Sequence, residues 1–168
     1  MRWPWPWPLV SLALFFACGQ AAPSPGPLDW TLGNWHGVRQ AADDGSEAPI
    51  VLRIEALPEG KGLIERLQAE LGGEPYVGFT VRVPVGSSGR WMMLYANSTR
   101  GTISRLEGTI GGDRSTWQSV ASGSQRVSRL VSERLGSDRW RRTQYRSEDG
   151  GKTWRVLFTD ELQRGEKP

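Results

Sequence analysis

The sequence predicts an all-β protein, a closed up-and-down antiparallel β-barrel of roughly eight to ten strands, with a two-sheet β-sandwich as the alternative fold. Three observations point there. Short runs of alternating apolar and polar residues recur from about residue 35 to about residue 163, the period of a half-buried strand. Gly-rich turn signals separate these runs, with no long crossover between them, so sequence neighbours pair as hairpins. Past residue 28 no segment reads convincingly as a helix. A series this long leaves two open edges unless it closes on itself, and closure removes them.

The first segment is read apart from the barrel. Arg2, the apolar run Leu9 to Ala17 and a lone Cys18 have the layout of a signal peptide, and the run is too short to span a bilayer as a stable helix. Two routes stay open: cleavage near Gly19 to Ala22, or acylation of Cys18 in a Phe15-Phe16-Ala17-Cys18 lipobox that anchors the chain to a membrane. Residues 1–22 are assigned to this leader and residues 23–29 to a Pro-rich tether that suits neither helix nor strand interior. The barrel is assigned to residues 30–164 and a short tail to 165–168.

At the entry to the first strand Trp35 stands between Gly33 and Gly37. A bulky ring flanked by glycines is an aromatic plug seated where the backbone passes close to a neighbour. Pro49 to Leu57 then directs Ile50, Leu52, Ile54 and Ala56 to one face and Arg53 and Glu55 to the other. Leu63 to Leu71 fits either period, since Leu63, Leu67 and Leu71 also recur at helical spacing. Its bounding glycines and strand neighbours favour a strand. Tyr76 to Val85 directs Val77, Phe79, Val81 and Val83 inward, and Gly86-Ser87-Ser88-Gly89 turns the chain. Arg90 to Asn97 is apolar on both faces, which fits a strand lining the core with its back against another element. Thr102 to Ile110 and Ser115 to Ala121 join through Gly111-Gly112-Asp113, and Arg126 to Leu135 pairs with Asp138 to Arg146 through Gly136-Ser137. Lys152 to Gln163 closes the series with Trp154, Val156 and Phe158 in register.

Charge is near balance, 21 Lys and Arg against 18 Asp and Glu. Although Arg126, Arg129, Arg134, Arg139, Arg141, Arg142 and Arg146 make the third quarter more basic, alternating arginines read as solvent-facing strand positions, and no nucleic-acid partner is assigned. One Cys excludes an intrachain disulfide and any Cys-based metal cluster. The single histidine, His36, cannot build a multi-His metal site. Asp43-Asp44 reads as a solvated loop, while Glu107 could point inward. No nucleophile elbow, phosphate loop or dinucleotide fingerprint is present. No catalytic residue, metal or cofactor is assigned.

Ser147-x-Asp149-x-Gly151-x-Thr153-Trp154 matches the Asp-box hairpin of sialidase propellers. It occurs once here, in a chain too short for a propeller, and is read as a rigid turn. With the Gly33-x-Trp35-x-Gly37 opening and the closing Glu161-Leu162-Gln163-Arg164, this hairpin makes the chain resemble the lipocalin-like (calycin) barrels. The nearest likeness is to bacterial secreted lipocalin-like domains of unknown function. The resemblance implies that Arg164 lies across the ring of Trp35 to close the barrel. It also argues against haem, since haem-binding relatives use a late-strand histidine and none follows residue 36.

Aromatic content carries the functional reading. Phe79, Trp91, Met93, Tyr95, Trp117 and Trp140 lie in strands, and in a closed barrel they would line an apolar pocket. The expected function is non-enzymatic binding of a small apolar ligand by a secreted or cell-envelope monomer. The alternative is a structural or protein-interaction module of the envelope whose barrel is filled.

Overall fold

Ten antiparallel strands follow one another around a closed barrel, each pairing with its sequence neighbours and the last with the first. They are β1 (Gly33–Ala41), β2 (Glu47–Ala56), β3 (Leu63–Leu71), β4 (Glu74–Pro84), β5 (Trp91–Asn97), β6 (Thr102–Gly111), β7 (Arg114–Ser119), β8 (Val127–Arg134), β9 (Arg139–Ser147) and β10 (Arg155–Arg164). Among the described residues two short 3-10 turns accompany them, Asp29–Thr31 before β1 and Pro58–Gly60 between β2 and β3. This computed structural model describes residues 26–120 and 125–165; the leader, Cys18 and the end of the tail lie outside the described residues. The barrel, not the sandwich, is the fold.

Closure follows from the register of β1 against β10, which sets Trp35 opposite Arg164 and Gly37 opposite Leu162. Gly37 is required at this seam, because a Cβ there would overlap the carbonyl of Glu161. A second close approach lies at Gly108, where a Cβ would stand 2.5 Å from the ring of Trp117. Removing one side chain makes the space for a larger one across the pair.

The two ends of the barrel differ. At the end carrying the segment before β1, Leu28, Trp35, Trp91, Trp117, Trp140 and Leu162 are buried in one cluster. Trp140 meets Trp30 and Trp35 edge-on, with ring centroids 5.7 and 5.9 Å away, a favoured aromatic geometry. Leu28, assigned above to the tether, is part of this plug at 2% exposure. At the opposite end, reached by the turns after β1, β3, β5 and β9, the described residues leave a groove lined by Arg39, Arg100, Arg146 and Phe158.

Several strand faces differ from the alternation reading. In β4 it is Gly78, Thr80 and Arg82 that are buried, while Phe79 is 39% exposed. Val77, Val81 and Val83, expected inside, share that outer face with Phe79. The back of β5 faces solvent with Leu94 at 42% exposure. Trp154 precedes β10, and the register shifts between Val156 and Phe158, a bulge that turns Val156 outward and Phe158 inward. Glu107 pairs on the outer face with Arg105 and Arg90, 3.0 and 3.5 Å away.

Candidate functional site

Above the tryptophan plug, five ionic side chains cross the interior as a continuous belt. Arg39 on β1 donates from Nε and Nη2 to the two carboxylate oxygens of Asp160 on β10, at 2.7 and 3.0 Å. Arg142 on β9 donates from Nε to Asp160 Oδ2 at 2.8 Å and from Nη1 to Glu65 Oε1 at 2.7 Å. Glu65 on β3 accepts in turn from Arg82 Nη2 on β4 at 2.6 Å. None of the five exceeds 8% exposure, and Asp160 shows none.

The strands deliver these groups because each lies in phase with the inward row. Glu65 falls between Leu63 and Leu67, Arg142 two residues after Trp140, and Arg39 four after Trp35. Arg82 and Arg142 also stand 5.8 Å from the rings of Trp117 and Trp140, so the belt rests on the plug. A buried charge survives only when paired and hydrogen-bonded, and here each is. Burial by itself pushes the Glu65 carboxyl up, but Arg82 and Arg142 outweigh it and hold the group at about 2. For Arg142 burial disfavours the charge, and Glu65 with Asp160 more than restore it, keeping the guanidinium protonated beyond its ordinary range.

Between this belt and the grooved end lies a cavity of about 300 Å³. Arg39, Glu65 and Arg142 form its floor; Leu67, Met93, Leu106, Leu130 and Phe158 supply an apolar wall. The hydroxyls of Tyr76 and Tyr95 are hydrogen-bonded to each other beside it. Burial raises the Tyr76 phenol above its ordinary value despite the nearby charges of Arg39, Arg142 and Arg100. Arg100 and Arg146 line the cavity as well as the groove leading to it.

Of the residues the sequence put forward for a pocket, Met93 and Tyr95 line this cavity. Trp91, Trp117 and Trp140 instead pack solidly in the closed end. Phe79 lies outside the barrel, with Arg66 6.0 Å from its ring. Sequence reasoning missed the belt altogether. Arg142 and Arg146 were counted among solvent-facing arginines, although a charge in phase with apolar neighbours, such as Glu65, was a readable sign of an inward polar group.

The closure residues meet at the plugged end. The Arg164 guanidinium lies 4.2 Å above the Trp35 ring and donates to the carbonyls of Leu32 and Trp30 at 2.8 and 3.3 Å. Trp35 Nε1 donates to the Thr31 carbonyl at 2.7 Å. Gly33 leaves room for the lid, since a Cβ there would come 2.8 Å from Arg164 Nη1. The hairpin of Ser147, Asp149, Gly151, Thr153 and Trp154, between β9 and β10, is held largely by its own hydrogen bonds, with the Gly150 amide donating to the Gln125 carbonyl at 2.8 Å. Ser147 Oγ accepts from the Gly151 amide at 2.7 Å, and Asp149 accepts from the Thr153 amide and hydroxyl at 2.9 and 2.6 Å. Those donors hold the Asp149 carboxyl well below the usual carboxylate range. Trp154 Nε1 donates to the Gly151 carbonyl at 2.9 Å, and Arg129 covers its ring at 3.9 Å. His36 is exposed on the outer face of β1.

No protein-family model matches the chain, and no curated protein matches its sequence. Among solved structures, the S-type phycobiliprotein lyase CPES from Guillardia theta is similar, with a TM-score of 0.55 and 13% identity over 84% of this chain and 92% of that one. At that identity the likeness concerns the fold alone. With the ten-strand closure, what the two share is a closed antiparallel barrel fold.

Proposed function

We propose that the protein is a non-catalytic binder of one small ligand, taken up through the open end of its lipocalin-like barrel. The observation that carries this reading is the cavity of about 300 Å³ between the belt and the mouth, at the lower end of the range for small-molecule pockets. Its wall of Leu67, Met93, Leu106 and Leu130 favours a ligand with an apolar body. The absence of catalysis is supported by the belt chemistry. Glu65, held at about 2 by its two arginines, is far from the range in which a carboxyl exchanges protons near neutrality.

Titration with N-phenyl-1-naphthylamine, a neutral dye that fluoresces in apolar surroundings, tests the reading. One saturable site is expected, abolished by Ser128→Trp, which fills the cavity from its wall. Unsaturable binding, or binding indifferent to Ser128→Trp, would overturn it and favour an envelope interaction module. That second reading draws on the outer face of β4 to β6, where Phe79, Leu94 and Ile103 are 39, 42 and 78% exposed.

The reading includes a secreted or envelope monomer of the bacterial lipocalin-like kind, tethered through a lipid on Cys18. It rests on the leader sequence, Arg2 with Leu9 to Ala17. Palmitate labelling of the wild-type chain, lost in Cys18→Ser, is the expected result; an unlabelled, cleaved product means plain secretion.

A further inference from the structure

Resting on the ligand-binding reading, we infer that the ligand is a small organic anion, its acidic oxygens placed against Arg146 at the mouth and its apolar body against Leu106 and Leu130. The interior carries more positive charge than its own acids balance. Within the belt, three guanidiniums share two carboxylates. Arg100 and Arg146 face the same cavity, and among the described residues neither has a carboxylate within ion-pairing distance. The excess near the cavity is therefore three positive charges.

Arg146 makes the strongest case. Its Nε is buried without a hydrogen-bond partner, although a guanidinium donor shut away from water normally finds an acceptor. Glu148, whose carboxyl Arg126 chiefly and Arg146 in part hold below its ordinary value, sits in the hairpin turn and is engaged by Arg126 at 3.0 Å. An acceptor arriving in the cavity would satisfy that donor. Water could accept from that donor but would leave the charge excess unneutralised.

The lining combines two kinds of surface. Leu106 and Leu130 come from β6 and β8 and Phe158 from β10, while Arg39, Arg142 and Arg146 come from β1 and β9. A ligand apolar at one end and carrying an oxyanion at the other meets both surfaces at once. A wholly apolar ligand would bury the guanidinium without an acceptor, and a bare inorganic anion would leave the leucine wall unfilled.

The test compares two dyes on one frame, N-phenyl-1-naphthylamine and its 8-sulfonate, titrated by fluorescence against the mature chain. The sulfonate is expected to bind about tenfold or more tightly than the neutral dye, the range of one charge-assisted hydrogen bond. Arg146→Gln should narrow that ratio to less than about threefold, and Arg100→Gln should narrow it in part. Both variants are checked by thermal melts, so that a loss of fold in one leaves the other to decide. Equal affinity for the two dyes, or a sulfonate preference that survives both substitutions, overturns the inference while leaving the ligand-binding reading standing. Binding of neither dye overturns both.

Discussion

Arg164 lies across Trp35 and at the same time donates to the carbonyls of Leu32 and Trp30. One side chain thus ties the last strand to the segment that precedes the first. Arg164→Ala should lower stability by about 1 to 2 kcal/mol, combining a cation–π contact with two exposed hydrogen bonds. Arg164→Lys should recover less than half of that, because an ammonium cannot lie flat on the ring and reach both carbonyls. Urea unfolding of the three proteins decides the matter, and an unchanged midpoint in Arg164→Ala would show the lid to be ornamental. At Gly108 the prediction runs against strand propensity. Alanine is ordinarily the better strand residue, yet Gly108→Ala drives a Cβ into the Trp117 ring and should destabilise by about 1 to 3 kcal/mol. The Trp35 site was legible in the sequence because its glycines sit beside it in the chain. The Gly108 site was not, since its tryptophan becomes a neighbour only once β6 and β7 pair.

For the strands, alternation revealed where they run but not always which side faces in. Leu63 to Leu71 resolves as β3, and its glycine-bounded length was the useful sign. In β4 the valines and Phe79 point out while Gly78, Thr80 and Arg82 point in. The inversion is physical: a strand that supplies a guanidinium to a buried ion belt and a glycine beneath the Tyr95 ring must turn its polar row inward. A one-residue phase error then reverses every assignment. The belt itself makes a testable element. Removing the Glu65 charge leaves Arg82 buried and unpaired while Asp160 still holds Arg142, so Glu65→Gln should cost about 3 to 5 kcal/mol at neutral pH. Glu65 ionises at about 2 in the folded chain against an ordinary 4.5. A carboxyl depressed on folding stabilises in full above its unfolded value and loses that contribution as pH falls toward the folded one. Stability should therefore decline by on the order of 3 kcal/mol from about pH 5 down to pH 2 through this group. Glu65→Gln should lack that share of the acid limb in pH-dependent denaturant melts, and an identical limb would remove Glu65 from the account.

At the level of the whole molecule, closure through β1 and β10 brings the start of the first strand and the end of the last to one side of the barrel. The Gly165 amide donates to the Asn34 carbonyl at 2.8 Å, which shows how near they come. A circular permutant that joins residue 165 to residue 28 through a Gly-Ser linker and opens in the Gly86-to-Gly89 turn should keep the β-sheet circular dichroism and the dye affinity of the parent. Loss of both would mean that chain order, and not only pairing, holds the barrel shut. Barrel closure was readable from the hairpin series, whereas the occupied and hollow halves were not, because tryptophan count says nothing about the height at which each ring sits. That height has a practical outcome. The indoles of Trp35, Trp117 and Trp140, no more than 2% exposed, lie below the ionic floor, while the phenols of Tyr76 and Tyr95 look onto the chamber above it. Acrylamide should scarcely quench the emission of those three indoles, with cargo or without it. Ultraviolet difference absorbance of the two phenols should instead register each filling, so that a single cuvette follows occupancy and unfolding on separate optical channels.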